Sequence, residues 1–231
     1  MKQYNLWGKI ISIKRIKSKL LKFLLKHDTL TERKERSILI KYIYSPGCSL
    51  TKSKPMLGEK AYAYLNTSLG NVELYAACCR SGEPVPEGTV VINTCPGCDE
   101  TFDKGVKTIT LWEIIDSNDD FPFPRYDNLE LTIQDACPMR KKPHVHEAVR
   151  KILGRMNIKV TEAVSHGEDS VCCGFSYKGE LTKEEMHNKM KERTSSMPLE
   201  DVCVYCMGCF KAMTIGGGKP LHLADLLFGD V

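Results

Sequence analysis

Ten cysteines carry the chemistry open to this chain, in two copies of one spacing: a lone cysteine, an adjacent pair, then Cys-x-x-Cys. The first copy is Cys48, Cys78-Cys79 and Cys95-Pro96-Gly97-Cys98. The second is Cys137, Cys172-Cys173 and Cys206-Met207-Gly208-Cys209, and only Cys203 falls outside the scheme. Thiolates are soft ligands suited to iron–sulfur clusters, zinc or copper(I). Cys-x-x-Cys lets two sulfurs face one metal from a single turn. Adjacent cysteines normally point apart, so a pair that contributes both thiolates needs a bent backbone and an extended, multi-iron target. Gly174, directly after the second pair, permits such a bend. Zinc prefers a tetrahedral, four-ligand site, so groups of five lean toward iron–sulfur clusters, with a zinc-stabilised scaffold as the other reading.

The elements that must position these residues repeat as well. Strands are expected at 38–44 and 129–136, each ending in a turn that delivers a cysteine, Cys48 or Cys137. Helices follow at 57–69 and 144–156. Short strands at 72–75 and 159–163 then lead to the Cys-Cys pairs, and strands at 89–93 and 201–205 lead to the Cys-x-x-Cys turns. Strands alternating with helices imply parallel sheets, and ligands at carboxyl-terminal strand ends suit an open α/β sheet. The expected fold is two α/β lobes related by a pseudo-twofold, residues 38–128 and 129–231, behind a basic extension, residues 1–37. The copies differ between pair and Cys-x-x-Cys: 174–205 hold a helix, 182–194, whereas 80–94 are short and contain Pro84 and Pro86. The first site should therefore be the more open.

Composition sets the context. The chain has 231 residues, 42% of them hydrophobic, enough for one large or two small cores. No apolar run is long enough to cross a bilayer, and 1–26 alternate apolar and basic residues without a secretory pattern. A cytosolic setting with reduced thiols is expected, and an odd cysteine count with adjacent pairs fits disulfides poorly. Net charge is +4, yet residues 1–41 hold twelve Lys and Arg against three Asp and Glu. Apolar residues at helical spacing among these cations make 6–25 a candidate basic amphipathic helix, able to lie on an anionic membrane face or to dock on protein.

Other residues offer less. His144 and His146 read as ordinary helix residues rather than proton donors, since nothing aims them at a sulfur. Arg140, Lys141 and Lys142 after Cys137 could balance cluster charge or hold an anion, or form a solvated charge run. Gly216-Gly217-Gly218-Lys219 lacks phosphate-loop spacing and leads to Pro220, so it reads as a flexible turn. There is no dinucleotide fingerprint and no serine-hydrolase elbow, and no recognition module supports nucleic-acid binding.

The pattern resembles the cysteine-rich CCG-domain proteins, and within them the B subunit of heterodisulfide reductase. Five stretches carry the likeness: Tyr44-Ser45-Pro46-Gly47-Cys48-Ser49-Leu50, Asp135-Ala136-Cys137-Pro138, Cys172-Cys173-Gly174-Phe175, Cys206-Met207-Gly208-Cys209 and the tail 223–228. The resemblance spans 42–229. It implies a noncubane four-iron, four-sulfide cluster on Cys137, Cys172, Cys173, Cys206 and Cys209. A second would sit on Cys48, Cys78, Cys79, Cys95 and Cys98, the two cleaving a disulfide between the lobes. Arg80 stands where the family has glycine and the spacing to Cys95 is short, so a cubane, a zinc site or a labile cluster are alternatives for the first lobe. The expected partners are a ferredoxin-like or flavoprotein electron donor and a small disulfide. The competing expectation is an electron-transfer subunit linking a dehydrogenase to a quinone pool, cytoplasmic and held at the inner membrane face by 1–37.

Overall fold

The computed structural model describes residues 41–102 and 105–229. The basic extension, the candidate helix 6–25 and residues 38–40 of the strand expected at 38–44 lie outside this range. Two four-stranded, wholly parallel sheets organise the rest. The first contains β1 (Lys41–Ser45), β2 (Val72–Leu74), β3 (Thr89–Asn93) and β4 (Lys107–Thr110), in the order β2-β1-β3-β4. The second contains β5 (Glu130–Gln134), β6 (Lys159–Val160), β7 (Asp201–Val204) and β8 (Lys219–His222), in the order β6-β5-β7-β8. One topology is thus used twice, as the repeated cysteine spacing requires. Val91 and Ile92 of β3 and Ile133 of β5 are fully buried, as strands of a covered parallel sheet must be.

The helices of the first lobe are α1 (Cys48–Ser53), α2 (Pro55–Leu69), α3 (Pro96–Phe102) and α4 (Leu111–Asp116). Those of the second are α5 (Pro143–Arg155), α6 (Lys183–Ser195), α7 (Met207–Ile215) and α8 (Leu223–Phe228). The long helices α2 and α5 both open on proline at the first position, where its missing N–H costs nothing. Thr110 and Thr182 start α4 and α6 with reciprocal capping boxes to Glu113 and Glu185.

Both fourth strands, and the helices that leave them, go beyond the elements expected from sequence. They repeat too: Thr110-Leu111-Trp112-Glu113-Ile114-Ile115 corresponds to His222-Leu223-Ala224-Asp225-Leu226-Leu227, each beginning with a side chain that caps its helix. These helices cross between the lobes. First-lobe α4 packs on second-lobe α5, and second-lobe α8 packs on first-lobe α2. Lys54 binds Asp225 at 2.8 Å, Lys60 donates to the Phe228 carbonyl at 2.8 Å, and Lys142 reaches Asp99. One apolar cluster consequently runs through both lobes, from Tyr44 and Trp112 to Ile152 and Met213.

The triple glycine needs correction: it is a packed contact, not a loose turn. A Cβ on Gly216 would collide with Thr194 Oγ1 and lie 2.6 Å from the Met190 carbonyl, and one on Gly218 would meet Thr194 Cγ2 at 2.7 Å. The end of α7 approaches α6 too closely for a side chain at Gly216 or Gly218, while Gly217 faces open space with φ +90. Pro220 follows inside β8, where an edge strand tolerates its missing N–H.

Candidate functional site: a thiol-lined cleft

Six of the ten site cysteines lie just beyond a central strand, whereas Cys172-Cys173 come after a loop of eleven residues that leaves β6. Cys48 opens α1 three residues after β1, and Cys137 opens a 3₁₀ turn after β5. Cys95 and Cys206 sit between β3 and α3 and between β7 and α7, which places Cys98 and Cys209 in the first helical turn. In each sheet the strands β1 and β3, or β5 and β7, are the central neighbours. The site therefore stands where the strand order reverses, the usual place for a ligand on an open α/β sheet.

The second pair bends as its glycine allows. Gly174 has φ +98, a conformation that favours glycine, and its N–H points to Cys172 Sγ at 3.4 Å. In the first pair Arg80 keeps an ordinary φ and the positive φ moves to Gly82. A turn closed by the Ser81 N–H on the Cys78 carbonyl, at 2.8 Å, shapes that pair instead.

The two sets meet. Nine of the ten cysteines line one cavity of about 350 Å³ between the lobes. Sulfur contacts run unbroken from Cys48 through Cys78, Cys79, Cys98 and Cys95, cross to the second lobe at Cys206, and continue through Cys209, Cys173 and Cys172 to Cys137. Cys48 and Cys78 sulfurs are 3.9 Å apart, and Cys137 and Cys172 sulfurs 3.8 Å. Cys172 turns away from the cleft onto a separate outer pocket of about 320 Å³. Cys203 faces none of this; it is fully buried in β7, where desolvation raises its thiol.

Packing thiols against one another splits their acidities. A hydrogen bond from Cys137, then one from Cys173 and the Ser176 hydroxyl at 2.8 Å, hold Cys172 far below the usual thiol range. Cys206 and then Cys98 do the same for Cys95, whereas the Cys95 bond and burial push Cys98 up. The backbone N–H of Arg80 lowers Cys78 as well, whereas Cys48, Cys137, Cys173, Cys206 and Cys209 are raised like Cys98. Cys48 is exposed and Cys78, Cys79 and Cys95 half-buried, whereas Cys172, Cys173 and Cys209 are buried. The first set is the more open one, as the short 80–94 connection implies.

Charge around the cleft comes partly from residues that the spacing did not mark. Arg193 on α6 is 5% exposed; its Nε donates to Gln134 Oε1 at 2.7 Å and its charge acts on Cys209, Cys173 and Cys172. The signal available was a basic residue three positions after Met190 on one face of the expected helix. Arg140 holds the Ser170 carbonyl at 2.7 Å and lowers Cys137 by its charge, although the Cys172 bond and burial leave that thiol raised. Lys142 ties the lobes together through Asp99 rather than facing the cleft. Neither His144 nor His146 lines the cleft. His144 lies 3.6 Å from Glu113, and burial lowers His146.

Among the described residues no three His, Cys, Asp or Glu side chains are grouped to hold a single metal ion. The sulfurs are spread around a volume instead of converging on one point. No family model matches this chain, and no curated protein matches it. Among the described residues no helix is long and apolar enough to cross a membrane.

Proposed function

We propose that the chain is an iron–sulfur redox protein of the CCG-domain type, similar to the B subunit of heterodisulfide reductase, which reduces a disulfide or related sulfur substrate in the interlobe cleft. The observation that carries the reading is the unbroken line of ten thiols, nine of which line one cavity. That donor set is all soft sulfur, and its arrangement around a volume suits an extended multi-iron group better than a single ion. Cys137, Cys172, Cys173, Cys206 and Cys209 would hold one four-iron cluster; Cys48, Cys78, Cys79, Cys95 and Cys98 would hold another. When bound, such clusters supply one-electron redox chemistry at iron accessible to sulfur.

The chain's own residues do the rest. Arg193 and Arg140 place positive charge behind the second set and offset its thiolates. The Ser176 hydroxyl lies 2.8 Å from Cys172 Sγ, within reach to donate to a thiolate there. Two lobes locked by exchanged helices fix the width of the cleft. Electrons come from a ferredoxin-like or flavoprotein donor, since no dinucleotide fingerprint is present, and residues 1–37 give peripheral contact with a membrane face in the cytoplasm.

Iron, sulfide and zinc analysis of anaerobically purified protein tests this, with electron paramagnetic resonance before and after adding a thiol. About eight irons per chain with a thiol-dependent signal is the expected result for two five-thiolate soft sites. Zinc without sulfide would overturn it. A second reading, an electron-transfer component without disulfide chemistry, draws on the exposure of Cys48; about four irons and no disulfide turnover would favour it.

A further inference from the structure

The cleft is chemically lopsided. Its second-lobe wall consists of cysteines with Pro138, Phe175, Ser176 and Gly208, none of them charged. The first-lobe wall carries two charges, Arg80 from the turn after the cysteine pair and Glu100 from α3. Both side chains are exposed at the cavity's edge, and neither forms a side-chain hydrogen bond or ion pair, with the other or with any described residue. Structural charges in this fold behave differently. Lys54 is paired with Asp225, Lys142 with Asp99 and Arg150 with Asp135. The charge of Arg80 acts on the neighbouring Cys78 thiol, but among the described residues neither its guanidinium nor the Glu100 carboxylate has an ion-pair partner, and a ligand complementary to both carries both signs.

We infer that the first-lobe wall recognises a zwitterionic amino-acid head, carboxylate toward Arg80 and ammonium toward Glu100, and that the substrate is a small cysteine-derived disulfide. A guanidinium is the preferred side chain for a carboxylate, which it can grip through two parallel hydrogen bonds. The neutral second-lobe wall then faces the sulfur-bearing part of the ligand. Arg80 occupies the position where the resemblance would put glycine, so this recognition belongs to this chain. The inference rests on the disulfide-reducing reading for its chemistry. There the S–S bond takes two electrons from the donor and two protons from solvent to give two thiols.

The test uses the full-length, anaerobically purified protein with reduced methyl viologen as donor and four disulfides of matched length. Cystine has both head charges, 3,3′-dithiodipropionate only the carboxylates, cystamine only the ammoniums, and 2-hydroxyethyl disulfide neither. Cystine is expected to show the highest kcat/KM. Arg80→Gln should cut the preference for cystine over 2-hydroxyethyl disulfide about tenfold, as loss of one charge-assisted bond implies, and should erase any preference for dithiodipropionate. Glu100→Gln should do the same for cystine and cystamine. Equilibrium dialysis of cystathionine, a thioether close to cystine in length, reads recognition without turnover. Its binding should weaken about tenfold in either variant, on the same estimate. Saturable, variant-sensitive cystathionine binding without turnover of any disulfide would remove the redox reading and leave the head site standing. Equal kcat/KM across the four disulfides, or cystathionine binding indifferent to both substitutions, would overturn the inference.

Discussion

Cys203 and Cys209 lie six residues apart and are both buried, yet only one belongs to the cleft. Cys203 points into the apolar core from β7, and Cys209 touches Cys173 and Cys206. Cys203→Ala should leave the iron content unchanged and cost about 1 kcal/mol, a typical core truncation. Cys209→Ser should lower bound iron by roughly half, since it removes one donor of one of two five-thiol sets. Equal iron loss in the two variants, by metal analysis, would refute this division. The cysteine spacing was legible because it is local in sequence. The weight of Glu113 was not, since it comes from burial. Desolvation raises the Glu113 carboxyl to about 7, against the lowering effect of the Thr110 bonds, with Asp99 and Lys142 nearby. Between about pH 4.5 and 7 the native chain holds a proton there that the unfolded chain has released. Stability from this residue is therefore greatest below that window and falls as pH rises through it, by on the order of 3 kcal/mol. The lowered His146 and His222 act with the opposite sign over part of this range, so the comparison must be with Glu113→Gln. Between pH 5 and pH 7.5, urea unfolding should show the stability of the wild type falling relative to that of the variant; parallel profiles would contradict the assignment.

At the scale of elements, the turn after the second pair depends on one backbone conformation. Ala at position 174 would need φ +98 and would bring its Cβ to 2.8 Å from Met190 Cγ and 3.1 Å from the Met190 N–H nitrogen. Gly174→Ala should destabilise by about 2 kcal/mol or more, combining backbone strain with the clash, and should lower iron retention at the second set. A melting temperature within experimental error of wild type would defeat that account. By contrast, Thr182→Ala removes only the α6 capping box, and a loss of about 1 kcal/mol without change in iron is expected. Most strands and long helices could be read from sequence: β3 falls on its expected residues, and α2, α5 and α6 begin and end within two residues of theirs. The fourth strands could not. β4 and β8 are four residues each, and Pro220 inside β8 argues locally against a strand.

For the whole molecule, the decisive feature is that each lobe lends its last helix to the other. No local pattern announces this, because α4 meets α5 and α8 meets α2 through contacts that the chain makes only after folding back on itself. The exchange is cemented by apolar side chains more than by charge. Tyr64 packs edge-on to Phe121 at 5.0 Å between ring centres, and Phe121 meets Phe228 at 5.8 Å. Tyr126 donates its hydroxyl to the Leu226 carbonyl at 2.8 Å. A core that runs through both sheets should unfold as one unit, since neither lobe can open without exposing apolar surface of its neighbour. Guanidinium unfolding followed by Trp112 fluorescence, which reports the first-lobe helix α4, should coincide with that followed by far-ultraviolet circular dichroism. Trp7 should be replaced by Phe so that the fluorescence is that of Trp112 alone. Ile152→Ala, a cavity in second-lobe α5, should lower stability by about 2–5 kcal/mol and move both curves together. Two separated transitions, or a mutation in α5 that leaves the Trp112 curve in place, would mean that the lobes fold independently and that the width of the thiol cleft is not fixed by the fold.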